Sequence, residues 1–220
     1  TYLITGGLGG LGLVTARWLV ENGGRHLVLV SRKAPTDEVC KTLDELQQAG
    51  AEIVTVQGDV GRTEDVERIL QVVADQMPSL RGIFHEAGIL DDGVLSGQSW
   101  SRFEKGMAPQ AQGAGALHSL TEDMPLDYFV MFSSAAAVLG APGQGNYAAA
   151  NTFMDCLAHF RKSQGLPAMS INWGVWSDVG MAAALEARNP GRRVSKETDA
   201  IRPDEGMEIL LCPGVWQVRH

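Results

Sequence analysis

The sequence predicts an α/β fold in which helices cover both faces of a parallel, doubly wound β-sheet. Short β-rich runs alternate along the chain with longer segments that carry apolar residues at helical spacing. This alternation is typical of repeated βαβ units, whose right-handed crossovers place helices on both faces of one sheet. The 220 residues are enough for one domain of this kind with a full core.

Seven strands are predicted from the short β-rich runs, and together they fit one sheet. In a doubly wound sheet a ligand crevice forms at the carboxyl ends of the central strands, where the strand order reverses. In chain order the predicted strands are 2–5, 26–30, 52–57, 82–85, 128–132, 168–173 and a weaker last one at 215–219.

Five helices are predicted between these strands, because apolar residues recur at helical spacing and Gly, Pro or Asn breaks the pattern at the ends. A further segment, 177–202, has no clear period. Its length favours a lid that faces the substrate, and a disordered surface excursion is the alternative. The predicted helices are 10–22, 36–49, 63–76, 100–121 and 145–164.

The composition excludes several kinds of partner. With 18 Lys and Arg against 26 Asp and Glu, the formal net charge is -8, so neither a nucleic acid nor a membrane is an expected partner. The chain shows neither an apolar run of membrane-span length nor a signal peptide, which predicts a cytoplasmic protein. Cys40, Cys156 and Cys212 are widely spaced, so they are predicted to be buried thiols rather than disulfides or metal ligands.

A glycine-rich turn follows the first predicted strand and opens the first predicted helix. Its G-x-G-x-x-G pattern lets the backbone approach a pyrophosphate, whose charge rests on the N–H groups of the helix start. The turn therefore predicts a Rossmann-like dinucleotide site, and a merely tight turn is the alternative. The residues predicted to hold the cofactor here are Thr5, Gly7, Leu8, Gly9, Gly10, Leu11 and Gly12.

The end of the second predicted strand indicates which dinucleotide binds. An NAD-specific site would place an Asp or Glu there to accept from the ribose 2′-hydroxyl, whereas this chain has Ser31 and Arg32. A hydroxyl and a guanidinium suit a 2′-phosphate, so NADPH is the predicted cofactor. The alternative is an Arg32 side chain that is simply solvated in a loop.

The third and fourth predicted strands end in further candidate cofactor contacts. Asp59 and Val60 are placed to meet the adenine, although Asp is also a common turn and N-cap residue. Ala87 and Gly88 let the chain pass close under the cofactor ribose. His85 is interpreted as a packed, hydrogen-bonded side chain rather than a catalyst.

Ser134 follows the fifth predicted strand, and Tyr147 lies 13 positions later at the start of a helix. When hydride reaches a ketone, negative charge builds on the oxygen; a phenol can protonate it while a serine hydroxyl holds it in place. Taken singly, Ser134 could cap a turn and Tyr147 could be a core aromatic residue. The Ser-x12-Tyr spacing resembles the short-chain dehydrogenase/reductases, in which this pair flanks the substrate carbonyl.

Most members of that superfamily have Lys four residues after the Tyr, whereas this chain has Asn151. The exchange resembles the ketoreductase domains of modular polyketide synthases and animal-type fatty acid synthases. The resemblance runs from residue 1 to about 211 and includes the segments 88–93, 113–118, 144–147, 172–176 and 180–181. It implies that residues 1–220 are a catalytic, NADPH-binding subdomain with a lid at about 177–202, and that a structural subdomain precedes it in a longer chain.

The same resemblance implies a substrate, a product and partners. The substrate is a β-ketoacyl chain held by the phosphopantetheine arm of an acyl carrier protein, and other domains of the synthase are further partners. The residues around the mouth look like the B-type fingerprint, with Leu139 where A-type domains carry Trp, and imply a D-β-hydroxyacyl thioester. The residues so assigned to stereocontrol, pocket or lid are Leu90, Asp91, Asp92, Pro142, Asn146, Trp176 and Met181, and plain core packing is the alternative for Trp176.

One departure from the family pattern concerns catalysis. The family's Lys belongs in Pro-Lys-x-x-Gly, and this chain has Gln110 at that position, with Lys105 five residues away on another helical face. A weakened or inactive domain, an engineered substitution and another cation that reaches in are competing explanations. The function is therefore either an NADPH-dependent β-ketoacyl reductase or a scaffold without chemistry; a free-standing reductase of small ketones is disfavoured. Glu86 is a second oddity, because the family has a small residue there.

Overall fold

The computed structural model describes residues 1–181, 183 and 200–211. Within these residues six parallel strands form one sheet in the order β3-β2-β1-β4-β5-β6, so the predicted Rossmann-like α/β fold is confirmed. The sequence order reverses between β1 and β4, whose carboxyl ends meet at paired Thr5 and His85. The strands are β1 (Tyr2–Thr5), β2 (His26–Ser31), β3 (Glu52–Gln57), β4 (Gly82–His85), β5 (Tyr128–Ser134) and β6 (Met169–Trp173).

Helices cover both faces of the sheet and enclose an apolar core on each. One core packs the α3, α5 and α7 side, around Ile69, Leu117 and Met154. The other packs the α1, α2 and α8 side, around Leu19 and Met207. The helices are α1 (Gly10–Glu21), α2 (Asp37–Gln48), α3 (Thr63–Gln76), α4 (Trp100–Met107), α5 (Gly113–Thr121), α6 (Ala136–Leu139), α7 (Gly145–Ser163) and α8 (Pro203–Glu208).

The helix predicted over 100–121 is interrupted. A π-helical turn, Ala108–Gln112, separates α4 from α5. Pro109 lies in this turn, and its ring nitrogen cannot donate the hydrogen bond that an α-helix needs at that position. Single π turns of this kind are often found at functional sites.

Two sequence predictions lie largely or wholly outside the described residues. The seventh strand, predicted at 215–219, falls in the range 212–220, and most of the predicted lid falls in 184–199. At the start of that predicted lid, Gly180 lies against the glycine-rich turn, since a Cβ added to Gly10 would be 3.2 Å from the Gly180 nitrogen. Trp176 forms a parallel bridge with Ile201.

The prediction of buried thiols is wrong for the cysteines that the structure describes. Cys40 on α2 and Cys156 on α7 are both exposed, because each lies on the outer face of its helix, and Cys212 is outside the described residues. None of the helices within the described ranges is both long enough and apolar enough to cross a bilayer.

Candidate active site

A cleft of about 370 Å³ opens at the carboxyl ends of β1 to β4. The glycine-rich turn and the start of α1 form one wall, and the segments after β2, β3 and β4 form the others. Most of the predicted cofactor residues line it, whereas Thr5, Gly7 and Leu8 do not. The predicted residues that line it are Gly9, Gly10, Leu11, Gly12, Ser31, Arg32, Asp59, Val60, Ala87, Gly88 and Met181.

The glycine-rich turn is built so that only glycine fits at its tightest points. A Cβ on Gly12 would lie 2.5 Å from the Gly6 carbonyl oxygen, and Gly6 itself has a φ of +71°. The Gly7 amide donates to the Val30 carbonyl at 2.9 Å, which fixes the turn to the end of β2. The turn delivers the N-terminus of α1 to the cleft, where its backbone N–H groups suit an anion such as a pyrophosphate.

Basic groups lie at the rim of the cleft, beyond β2. Arg32 and Lys33 are exposed and line the cleft beside Ser31. Asp59, on the opposite side, accepts a hydrogen bond from the Gly61 amide at 3.0 Å, so part of its carboxylate stabilises its own turn. A 2′-phosphate at this rim would meet two cations.

His85 is a buried structural residue in a network beneath the cleft. Its Nε2 contacts the Gln110 carbonyl at 3.1 Å, and because a carbonyl only accepts, Nε2 carries the proton. Its Nδ1 then accepts from the Thr5 hydroxyl at 2.8 Å. Burial lowers the pKa of His85 to about 4, so the ring is neutral at pH 7. The packed interpretation of His85 therefore agrees with the geometry.

Ser134 and Tyr147 come together at the end of β5 and the start of α7. The Ser134 and Asn151 side chains lie close enough to the Tyr147 phenol to lower its pKa, but burial has the larger effect and raises it. The negative charge of Asp92 also raises the pKa of the Tyr147 phenol. Ser134 Oγ accepts from the Ala136 amide at 3.2 Å, which orients the hydroxyl.

Gln110 connects this pair to the cofactor cleft. The π turn places its side chain in a buried position, where Nε2 donates to Asn151 Oδ1 at 3.2 Å. Asn151 Nδ2 in turn donates to the Tyr147 carbonyl at 2.7 Å. On the cleft side, a Cβ on Gly88 would lie 3.4 Å from the Gln110 side chain. The Oε1 atom of Gln110 is buried and has no hydrogen-bond partner among the described residues.

The loop after β4 is fixed to α4 and to the start of α7. Arg102 Nη2 donates to Asp91 Oδ1 at 2.6 Å and to the Asp92 carbonyl at 3.0 Å. Asn146 Nδ2 donates to the Asp91 carbonyl at 3.1 Å, and Gln144 Nε2 contacts the Asp92 carboxylate at 3.2 Å. Arg102 also holds the pKa of the Asp91 carboxyl below its usual range.

The other predicted pocket residues are placed differently from one another. Met181 lines the cofactor cleft, Leu90 is half-buried and Pro142 is exposed. Trp176 is buried against Trp173, with ring centroids 4.7 Å apart, and against Gly206 of α8. Trp176 is therefore a core residue in this structure and does not line the cleft.

Several cleft residues were not among the sequence predictions. Lys33 and Gly58 adjoin predicted residues, so adjacency to Arg32 and Asp59 was an available signal. Pro109 and Gly180 belong to motifs of the family resemblance, which was the available signal, but tertiary packing brings them to the cleft. The additional lining residues are Gly6, Val30, Lys33, Gly58, Glu86, Pro109 and Gly180.

Comparison with known families identifies the type of domain to which this cleft belongs. The model of the KR domain family matches residues 1–178. The chain belongs to the KR domain family. KR, or ketoreductase, domains of polyketide synthases are oxidoreductases whose fold implies a nicotinamide cofactor, and the glycine turn and the rim cations of this cleft fit such a group.

Relatives of this KR domain are parts of large synthases. A phenolphthiocerol/phthiocerol polyketide synthase protein of Mycobacterium tuberculosis is 45% identical over 210 residues, which are 96% of this chain and 11% of that protein. A mycocerosic acid synthase-like polyketide synthase of the same organism is 41% identical over 214 residues, with 96% and 10% covered. The chain thus spans about a tenth of the length of these relatives.

Solved structures share the fold of this KR domain closely. One, described as A-type ketoreductases from a modular polyketide synthase, has a TM-score of 0.86 at 38% identity and covers 95% of this chain and 44% of that one. A ketoreductase domain from the bacillaene assembly line has a TM-score of 0.84 at 32% identity, with 95% and 52% covered.

Proposed function

We propose that the protein reduces a β-ketoacyl thioester, carried on an acyl carrier protein, with NADPH. The observation that carries this proposal is the proximity of the Ser134 and Tyr147 side chains at the end of β5 and the start of α7. Gln110 and Asn151 join that pair to the cofactor cleft through contacts at Gly88. In this proposal residues 1–220 form the catalytic subdomain of a longer synthase, whose other domains and carrier protein are its partners.

The residues of this chain would divide the reaction between them. A bound NADPH supplies hydride from its nicotinamide. Tyr147 donates its phenolic proton to the ketone oxygen as charge builds there, and Ser134 donates a hydrogen bond to the same oxygen. The Ala136 amide donates to Ser134 Oγ, which leaves the hydroxyl proton free to point at the substrate. Asn151 and Gln110 fix the first turn of α7, which carries Tyr147.

The preference for NADPH over NADH rests on the rim beyond β2. Ser31, Arg32 and Lys33 line the cleft where an NAD-specific site would place an acidic residue. A 2′-phosphate there gains charge-assisted hydrogen bonds, whereas a neutral 2′-hydroxyl gains no such charge assistance.

The proposed product is the D-β-hydroxyacyl thioester. The loop with Leu90, Asp91 and Asp92 follows the cleft residues Ala87 and Gly88 and is held to Asn146, one residue before Tyr147. In this position the loop would guide the phosphopantetheine arm to one face of the cofactor. Overall likeness to an A-type structure does not assign the product, because the outcome depends on the side chains at the mouth.

A scaffold that binds the dinucleotide without chemistry is the second candidate function. The neutral Gln110 side chain favours it, because a cation beside the phenol would lower the pKa of Tyr147, and burial instead raises it. Proton donation from such a phenol is weakened. NADPH binding without turnover would be the signature of this alternative.

Turnover of a β-ketoacyl thioester with NADPH tests the proposal. Tyr147→Phe should lower kcat about 10²-fold or more while NADPH affinity is retained, since general acid catalysis contributes on that scale. Ser134→Ala should also lower kcat without loss of NADPH binding. Tyr128→Phe, at the opposite end of β5, is the matched control and should leave turnover unchanged. A native protein that binds NADPH and turns nothing over would favour the scaffold.

A further inference from the structure

Glu86 is a buried acid at the cofactor cleft that the proposed chemistry does not use. It follows β4 and lines the cleft, and a Cβ on Gly6 would lie 3.1 Å from its carbonyl oxygen. Both carboxyl oxygens are shielded from solvent, and neither makes a well-formed hydrogen bond with a described residue. A buried carboxylate without a partner is costly, so its environment favours the neutral acid.

Among the described residues, the groups that face Glu86 offer it no compensating charge. From α1 the Thr15 hydroxyl faces the carboxyl and lowers its pKa, an effect smaller than that of burial. The charged residues of that helix, Arg17 and Glu21, are exposed. The same Thr15 hydroxyl contacts the sulfur of Met207 on α8. The Thr5 hydroxyl, at the end of β1, accepts a hydrogen bond from the Glu86 amide. Burial raises the pKa of Glu86 to about 8. The charged residues exposed on α8 are Asp204, Glu205 and Glu208, and those on the cleft rim are Arg32, Lys33 and Asp59.

We propose that Glu86 is an electrostatic determinant of dinucleotide affinity: the neutral acid permits binding, and the carboxylate opposes it. The inference rests on the proposed function for the identity of the ligand. The cofactor phosphates would lie at the glycine-rich turn, and the Glu86 backbone lies directly behind that turn. Two like charges separated by buried protein repel more strongly than they do through water.

Coupling of this kind works in both directions. If NADPH binds the neutral form of Glu86 more tightly, bound NADPH must raise the pKa of Glu86 by the same free energy. Near pH 8, where the carboxyl is half-ionised without ligand, binding should therefore be accompanied by proton uptake. Below that pH the acid is already protonated, so affinity becomes independent of pH.

NADPH titrations of the intact protein from pH 6.5 to 9.5 test the inference. If only the neutral form binds, the native Kd should rise about tenfold between pH 7 and pH 9, because the competent fraction falls by that factor. Glu86→Gln removes the charge with little change in shape, so its Kd should stay nearly constant and be tighter than the native value at pH 9. Glu86→Ala serves as a second neutral variant should the buried amide destabilise the fold.

Glu21→Gln is the matched control, because it removes one carboxylate from the exposed face of α1. It should keep the native pH dependence. A flat native Kd, or equal slopes in the native protein and Glu86→Gln, would overturn the role of Glu86 and leave the proposed function intact. An absence of NADPH binding at every pH would instead contradict the proposed function, and the inference with it.

Discussion

At the scale of single residues, the unusual feature of the reacting pair is that no cation among the described residues acts on the Tyr147 phenol. Gln110 occupies the buried position next to Asn151, and its Oε1 has no partner among the described residues. Lys105 does not replace the missing charge, because it is exposed on α4 and acts on Asp91. The phenol of Tyr147 therefore keeps a raised pKa and is a weaker acid than a cation-assisted one.

Gln110→Lys should restore that assistance. A cation beside the phenol lowers a pKa by about 1–3 units, so kcat should rise about tenfold or more, with NADPH affinity nearly unchanged. The alkaline fall of kcat, where the phenol loses its proton, should lie above the ordinary value of about 10 in the native protein and move down in the variant. The pH profile of kcat checks both effects.

Lys105→Gln is the control for this experiment, since it removes an exposed cation of the same region and should leave the pH profile in place. An unchanged kcat in Gln110→Lys would contradict the role assigned to position 110.

Much of the site could be predicted at this scale, because backbone and proton chemistry restrict the residue types. The glycine pattern could be predicted because parts of the turn, such as Gly12, have no room for a Cβ. The Ser134–Tyr147 pair could be predicted from its spacing. Trp176 shows the limit of such reasoning. Its ring packs under α8 rather than toward the cleft, and only tertiary contacts decide which way a large aromatic side chain points.

At the scale of elements, the loop after β4 depends on α4 for its position. Arg102 contacts Asp91 through two nitrogens, at 2.6 and 3.4 Å, and also donates to the Asp92 carbonyl. A π turn separates α4 from α5, and a sequence period alone does not reveal such an interruption. The continuous helix predicted over 100–121 was wrong in that respect.

Arg102→Gln should release this loop. The expected result is a several-fold higher KM for the carrier-bound thioester and a lower fraction of the D product, with the NADPH Kd unchanged. Arg102→Lys should recover these properties only in part, because an ammonium cannot make the forked contact. Chiral analysis of the product, together with the steady-state KM, measures both effects.

Arg62→Gln, which alters an exposed Arg62–Glu64 pair at the start of α3, is the control for the loop experiment. A native product ratio and KM in Arg102→Gln would show that the loop does not depend on this contact.

At the scale of the whole molecule, the cleft lies where the two halves of the sheet meet. The strand order β3-β2-β1-β4-β5-β6 places the glycine turn, the basic rim and the segment after β4 around one cleft. The sequence predicted this arrangement because alternating strands and helices with right-handed crossovers leave few other topologies. The route from the cleft to Tyr147 could not be predicted, since it depends on the contact of Gln110 with Asn151.

NADPH should stabilise the folded protein more than NADH does. A ligand that binds only the native state at about 100 times its Kd adds about 2.7 kcal/mol, which corresponds to a rise in Tm of about 5–10 °C for a chain of this size. NADH lacks the 2′-phosphate that would meet Arg32 and Lys33, so at equal concentration it should raise Tm less. Arg32→Ala should shrink the NADPH shift and leave the NADH shift unchanged, while Arg25→Ala, at the opposite end of β2 from the cleft, should alter neither. Thermal melts with each dinucleotide measure these shifts; equal shifts with both in the native protein would refute the assignment of the rim beyond β2 to the 2′-phosphate.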